Sequence, residues 1–210
     1  MDQQIIEAFK DQKLVSKIKE KLPKLFQIAE LESSRAGKIG MEVGSVREKI
    51  IIALLVYKFG EKSVKTDIPI TETEVDVKVN NKPISIKTIT GANPTGIKLI
   101  WTVDAKKSKE FREKYAPTCD MILIQINWSN GGGFFYITRE TQIEVLISLG
   151  KKRYIKLPKP GTNPRGVEMT NEAIQQLINH KNTFSIPINW NKETINYKPY
   201  QRWIELWEQE

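Results

Sequence analysis

Residues 74–87 read Glu74-Val75-Asp76-Val77-Lys78-Val79-Asn80-Asn81-Lys82-Pro83-Ile84-Ser85-Ile86-Lys87, two alternating runs joined by a pair of asparagines. Side chains alternate between the faces of a strand, so Glu74, Asp76 and Lys78 share one face and Val75, Val77 and Val79 the other. Asn80-Asn81 suits a two-residue hairpin turn, because asparagine tolerates a positive φ. That turn sets Asp76 across from Ser85 and Glu74 across from Lys87. Lys87 is then diagonal to Asp76 and long enough to reach it. A carboxylate, a hydroxyl and an ammonium converge on one patch of a strand pair over Thr73–Val79 and Ile84–Ile89. A solvent-facing polar sheet would show the same alternation. Two features argue for a site instead: a small-residue stretch that follows (Thr88, Thr90, Gly91, Asn93, Pro94, Gly96) and a carboxylate upstream.

That carboxylate is Glu48, in the first turn of a helix expected over Val46–Phe59, opened by Ser45 and closed by Gly60. Ser45-Val46-Arg47-Glu48 also reads as a capping box, which would give Glu48 a structural task. The middle of the helix, Ile50 to Val56, is apolar nearly all round and predicts a buried central helix. Ahead of it, apolar residues recur at helical spacing from Gln3 to about Ser33, with Pro23 expected to break the run into two helices or to start the second one. A loop with three glycines (Gly37, Gly40, Gly44) joins the two regions.

Beyond the hairpin, the pattern predicts a strand over Lys98–Val103 and an exposed charged helix over Ala105–Tyr115. Strands over Met121–Trp128 and Phe134–Thr138 flank Asn130-Gly131-Gly132-Gly133. A helix over Glu140–Leu149, a helix over Asn171–Lys181 capped by Thr170, a strand over Ser185–Trp190 and a helix over Tyr200–Trp207 follow. Helices, then a mixed sheet, then helices imply an α/β (α+β) sandwich, and 210 residues without an internal repeat or linker imply a single domain. Within it, residues 1–44 form N-terminal helices and a loop, 45–138 a catalytic core, and 139–210 a basic segment with C-terminal helices.

Composition narrows the chemistry. One cysteine, Cys119, excludes an internal disulfide and cysteine-rich zinc sites, and one histidine, His180, leaves histidine-based metal sites and triads little to draw on. His180 falls at a helix end and is given no catalytic part. A metal here must be held by oxygen, which favours magnesium, manganese or calcium. A net charge of +8 and a pI near 9.4 suit a polyanionic partner. No apolar run is long enough for a membrane span and no secretion signal opens the chain, so a cytoplasmic protein is expected.

The helix glutamate, hairpin aspartate and following lysine resemble the PD-(D/E)XK nuclease superfamily, with Glu48, Asp76 and Lys87 matching in order and spacing. Val75 stands where a proline usually precedes the aspartate, and Ser85 where a second acid usually stands. Acidic-x-lysine strings also occur at Asp11-Gln12-Lys13, Asp76-Val77-Lys78 and Asp104-Ala105-Lys106. The first and third fall on helical or boundary segments and are read as coincidental. Over most of its length the chain resembles the ThaI type II restriction endonucleases, which cut CG/CG to blunt ends.

The resemblance implies a restriction-endonuclease-like core and a Mg2+ held by Asp76 and the Ile86 main-chain carbonyl. Glu48 joins that metal network or orients Lys87, Lys87 holds or deprotonates the attacking water, and Ser85 completes the catalytic patch. It implies double-stranded DNA as substrate and a homodimer, since two-fold symmetry supplies a site for each strand of a palindrome. The interface is expected at the N-terminal helices or at the aromatic C-terminal helix.

Two segments are candidates for DNA contact. Gly150 to Val167 holds Lys151, Lys152, Arg153, Lys156, Lys159 and Arg165, and its prolines and glycines predict an extended course. Lysines there would meet phosphates, and Arg165 could read guanine. The glycine loop carries Arg35, Lys38 and Met41. Met41 could wedge a CG step from the minor groove or fill a gap over the core. Trp128, Trp190, Trp203 and Trp207 are expected in the core or at a dimer interface. The same residues leave two other readings: a nuclease that cuts by DNA structure, as in resolution or repair, and a non-catalytic DNA-binding protein whose Ser85 marks a decayed site.

Overall fold

The computed structural model describes residues 3–35, 38–40, 42–93, 96–102, 104–158 and 166–209. Helices α1 (Gln3–Phe9) and α2 (Gln12–Glu32) lead to a small hairpin of β1 (Ser34–Arg35) and β2 (Lys38–Ile39), then to α3 (Val43–Phe59). Next come β3 (Val64–Lys65), β4 (Val77–Val79), β5 (Lys82–Thr90), β6 (Lys98–Ile100), α4 (Ala105–Lys114), β7 (Asp120–Ile126) and β8 (Gly131–Ile137). The chain continues through α5 (Arg139–Leu149), α6 (Lys151–Tyr154), β9 (Ile155–Lys156), β10 (Val167–Met169), α7 (Asn171–Ile178), β11 (Phe184–Asn189) and α8 (Gln201–Trp207).

The main sheet has six strands in the order β11-β8-β7-β5-β4-β3. Only the β5–β7 pair is parallel, so the sheet is mixed, with β6 and α4 in the crossover that a parallel pair needs. Its side chains divide by alternation. Ile122, Ile124, Phe134 and Tyr136 face a core built with α1, α2 and α3. Leu123, Phe135 and Ile137 face a second core with α5 and α7. Burial on both faces explains why β7 carries the near-continuous apolar run Met121–Ile124.

Asn80 and Asn81 take φ of 50° and 66°, the left-handed pair that a two-residue hairpin turn requires. The register follows: Val79 pairs with Lys82, Lys78 with Pro83 and Val77 with Ile84. The first strand is shorter than expected, because the ladder stops at Val77 and Thr73–Glu74 form a turn.

Several sequence expectations are corrected. Pro23 does not break a helix; α2 runs through it, and the interruption falls at Lys10–Asp11. A proline inside a helix costs roughly 3 kcal/mol, but each buried large apolar side chain returns about 1.5–3 kcal/mol. Leu14, Ile18, Leu22 and Phe26 are 3%, 2%, 3% and 0% exposed, so packing wins. Gly131–Gly133 are not the turn but the start of β8, and the turn lies before them, with Asn130 N–H on the Asn127 carbonyl at 2.9 Å. The glycines serve packing: a Cβ on Gly132 would lie 2.6 Å from Trp190 Nε1 and 2.3 Å from the Gln125 carbonyl. Helix α3 is not buried all round; Arg47, Ile51 and Leu55 are buried, while Ala53 and Tyr57 are exposed. Residues 151–154 are not extended but form α6, with the extended β9 following, and α7 ends at Ile178, short of Lys181. His180, just past it, sits 3.3 Å from Glu144.

Candidate active site

Asp76 is the first residue upstream of β4, with its N–H on the Ile84 carbonyl at 3.0 Å. Its carboxylate turns onto β5. There Oδ2 accepts from the Ile86 N–H at 2.6 Å, the Lys87 Nζ at 3.1 Å and the Ser85 hydroxyl at 3.3 Å. Lys87 thus reaches Asp76 along the diagonal that the hairpin register predicts. The pair is partly open, with 24% and 20% of the two side chains exposed, while Ser85 is buried. N–H and C=O of one strand residue point toward the same edge, so the Ile86 carbonyl faces the side on which Asp76 sits.

Glu74 is not part of this patch, contrary to its expected place across from Lys87. Its carboxylate accepts from Thr118 N–H at 3.0 Å and from the Thr118 hydroxyl at 2.5 Å, which ties the turn before β4 to the segment leading into β7. Cys119 beside it is buried, and burial followed by the Glu74 charge pushes its thiol up to about 12. A thiol held that far up is almost entirely protonated at neutral pH and takes no part in nucleophilic chemistry.

Glu48 comes from α3, which packs on β5. Burial raises its pKa first, the Asp76 charge raises it further, and Lys87 pulls it down, so the three side chains share one electrostatic field. The expected capping box is absent. α3 starts at Val43, Glu42 stands at the N-cap without a side-chain bond, and Ser45 lies inside the helix. Glu48 therefore has no capping role. The Asp-x-Lys strings at 11–13 and 104–106 are themselves N-caps: Asp11 accepts the Lys13 N–H at 3.0 Å, and Asp104 those of Lys106 and Lys107 at 2.7 and 3.1 Å.

Because partial burial and the Asp76 charge outweigh Lys87 at Glu48, its contribution to stability has a definite sign. The folded pKa is raised, so that contribution is complete below the ordinary glutamate value of about 4.3 and is lost as pH rises through the folded pKa. In EDTA, Glu48→Gln should melt above the wild type at neutral pH, with the gap closing as pH falls toward 4. A gap that stays constant across that range would contradict this account.

Arg47, the neighbour of Glu48, was not expected. Its side chain pairs with Glu30 at 2.5 Å, and each side chain is 6% exposed. Trp128 Nε1 donates to Glu30 at 2.8 Å, and Arg47 reaches Thr90 at the end of β5 at 3.4 Å. A signal existed in the sequence: Arg47, Ile51 and Leu55 recur at intervals of four and share the buried face, so Arg47 needed a buried acid.

The candidate DNA contacts divide. Lys38 is exposed on the β1–β2 hairpin, which is pinned by Gly40 N–H on the Ser33 carbonyl at 2.8 Å and leads directly into α3. Met41, Lys159, Arg165 and the Arg35 side chain lie outside the described residues. Lys151 donates to the Glu113 carbonyl, Arg153 forms a fork with Glu172, and Lys156 lies 3.5 Å from Glu168. Lys152 is exposed. The basic segment is thus partly neutralised by its own neighbours. Trp128 and Trp190 pack edge-on at 5.6 Å in the core, whereas Trp203 and Trp207 are exposed.

A mixed sheet flanked by helices, with a hairpin aspartate and lysine beside a helix glutamate, is the arrangement of PD-(D/E)XK nucleases. The family model of the restriction endonuclease ThaI matches residues 8–209, so the chain belongs to the ThaI restriction endonuclease family and is a type II restriction enzyme acting on DNA. It is similar to a solved restriction endonuclease in complex with substrate DNA, at 55% identity and a TM-score of 0.90, over 97% of this chain and 98% of that one. No curated protein matches the chain. Among the described residues, no helix is long and apolar enough to cross a membrane.

Proposed function

We propose that the chain cleaves double-stranded DNA at CG/CG to blunt ends, with magnesium as the ion, as a cytoplasmic homodimer whose catalytic residues are Asp76, Lys87 and Glu48. The observation that carries the assignment of residues is the Asp76–Lys87 contact at 3.1 Å, set on a sheet that also presents the Ile86 carbonyl.

The donor set fits a hard divalent cation. Restriction endonucleases use such ions, and the oxygens at hand are those of Asp76, Glu48 and the Ile86 carbonyl. Among the described residues, no group of three or more His, Cys, Asp or Glu could hold a metal. With so few protein ligands the ion must keep several waters, as magnesium does. When bound, it would polarise the scissile phosphate and acidify a water. Ser85 cannot supply the usual second acid; its buried hydroxyl instead steadies Asp76.

Lys87 has its ammonium at the carboxylate, where it can position the attacking water and offset charge growing on the phosphate oxygens. Glu48, with its raised affinity for protons, is suited to accept a hydrogen bond from Lys87 or from a metal-bound water. Met41, which lies between Gly40 and Gly44 in the sequence, is assigned the minor-groove wedge.

The test is direct. Purified protein, supercoiled plasmid and magnesium should give discrete fragments whose sequenced ends are blunt and fall at CG/CG, with 5′-phosphates; EDTA should abolish them. Ends at another palindrome would refute the target and leave the enzyme class. Nicking only at branched DNA would favour the structure-specific reading.

A further inference from the structure

Strand β5 outruns one of its neighbours. Its ladder with β4 ends at the Val77–Ile84 pair, whereas β7 accompanies it on the other side from Ile84 to Thr90. From Ser85 to Thr90 the strand thus lies in the middle of the sheet with one edge uncovered. Glu74 is the cause. Its carboxylate takes the Thr118 N–H at 3.0 Å and the Thr118 hydroxyl at 2.5 Å. That tether draws the chain upstream of Asp76 away from the edge that a longer β4 would have filled opposite Lys87.

Alternation fixes which groups the open edge carries. The N–H and C=O of one strand residue point to one edge, and those of the next residue to the other. Gly91, one residue beyond β5, donates its N–H to the Ile126 carbonyl of β7 at 2.7 Å, so the odd-numbered residues face β7. The Ile86 N–H meets Asp76 Oδ2 at 2.6 Å, so the even-numbered residues face the open side. Along it stand, in order, the Ile86 N–H, the Ile86 carbonyl, the Thr88 N–H, the Thr88 carbonyl and the Thr90 N–H.

Asp76 occupies the first of these groups. Among the described residues, no strand and no side chain accepts from the Thr88 N–H. Glu48, on the helix packed over this strand, does not accept it either; burial and neighbouring charges move its pKa, with no hydrogen bond among the causes. Thr88 is half-buried. Main-chain donors inside a protein are nearly always paired, so a half-buried one left open beside Lys87 serves water or a ligand.

We infer that the Thr88 N–H donates to a non-bridging oxygen of the scissile phosphate, as a main-chain catalytic group beside Lys87. The inference rests on the reading of Asp76 and Lys87 as the active site. The Ile86 carbonyl, an acceptor suited to a cation, and the Thr88 N–H, a donor suited to an anion, fall within one two-residue repeat of the strand, roughly 7 Å. Lys87, between them, carries its ammonium to Asp76 at 3.1 Å. A phosphate at this edge therefore meets one fixed N–H from the strand and one charge from the side chain. The donor belongs to a strand braced by β7, so it needs no reorganisation as charge grows on the phosphate oxygens. Because no side chain takes part, no residue type in the sequence marks the contact.

Removal of the N–H tests it. Cell-free translation with the α-hydroxy acid of threonine at position 88 turns that amide into an ester and keeps the side chain. The same exchange at Thr90, whose N–H faces the same edge, is the control for a weakened strand. Thr88→Pro, which removes the N–H from a side of the strand with no ladder to lose, is a second variant. All are made in the Asp76→Asn background and studied without a divalent ion, so that nothing is cut and no carboxylate at position 76 repels the phosphate. The readout is affinity for CG/CG duplexes that carry a methylphosphonate of either configuration at the central phosphate. With the amide intact, the isomer whose methyl replaces the accepting oxygen should bind at least about 10-fold more weakly than the other. The Thr88 ester and Thr88→Pro should bring the two isomers within about twofold, and the Thr90 ester should keep the difference. Equal discrimination with and without the Thr88 N–H, no discrimination at all, or its loss in the Thr90 ester as well would overturn the contact and leave the active site standing. Cleavage by Asp76→Asn near the wild-type rate in magnesium would overturn the active site and the contact with it.

Discussion

Purified Asp76→Asn and Lys87→Ala proteins should fold as the wild type does, bind a CG/CG duplex, and cleave it at least about 100- to 1,000-fold more slowly. Asparagine is the informative replacement for Asp76. Its amide oxygen can still accept from the Ile86 N–H and the Ser85 hydroxyl, which the carboxylate holds at 2.6 and 3.3 Å. Alanine would strand the Ile86 N–H at the end of the ladder, at a cost of about 1–3 kcal/mol, and confound lost chemistry with lost stability. What asparagine removes is the negative charge that a divalent ion and the Lys87 ammonium both need. Lys87→Ala removes the opposite charge and leaves the fold of β5 untouched, because the side chain is partly exposed and its backbone stays in the ladder with β7. Single-turnover cleavage with enzyme in excess separates the chemical step from assembly and release. Rates within tenfold of the wild type for either variant would remove these residues from the active site.

The pairing of Asp76 with Lys87 was legible because two local rules fix it. Alternation along a strand and a two-residue turn at Asn80-Asn81 leave only one register, and the register sets the diagonal. The same rules placed Glu74 wrongly. Thr118, distant in sequence, offers Glu74 an N–H and a hydroxyl, and the strand gives way before it reaches that residue. Ser45 failed for a similar reason. Its spacing to Glu48 is that of a capping box, but Gly40 is already tied to Ser33 and Val43 N–H lies 3.4 Å from the Gly40 carbonyl, so the helix starts three residues earlier. Glycines at 131–133 read as a turn until Trp190 is known to lie against Gly132. In each case a partner far along the chain overruled a sound local signal.

Removing Glu30 should cost the fold about 3–5 kcal/mol, the largest single stability effect expected outside the hydrophobic cores. Glu30 and Arg47 are each 5% exposed, and the carboxylate is the counter-charge for a guanidinium that water barely reaches. Burial pushes the pKa of Arg47 down even with Glu30 beside it. Glu30→Ala would leave that cation uncompensated and would also strip Trp128 Nε1 of its acceptor. In a domain of this size, 1 kcal/mol corresponds to roughly 2–4 °C, so thermal melting should fall by on the order of 6–20 °C. The double variant Glu30→Leu/Arg47→Met should recover most of the loss, because apolar groups of similar bulk ask for no counter-charge. Recovery of the melt need not bring back full cleavage. Arg47 precedes Glu48 on α3 and reaches Thr90 at the end of β5, so the ion pair holds the helix glutamate in register with the strand that carries Lys87. A double variant that is stable but impaired in cleavage would assign the pair to positioning. One that is stable and fully active would make it a structural pair alone. A Glu30→Ala protein that melts within a degree or two of the wild type would show that Lys192, 3.5 Å from the same carboxylate, lies close enough to solvent for water to relieve the buried charge.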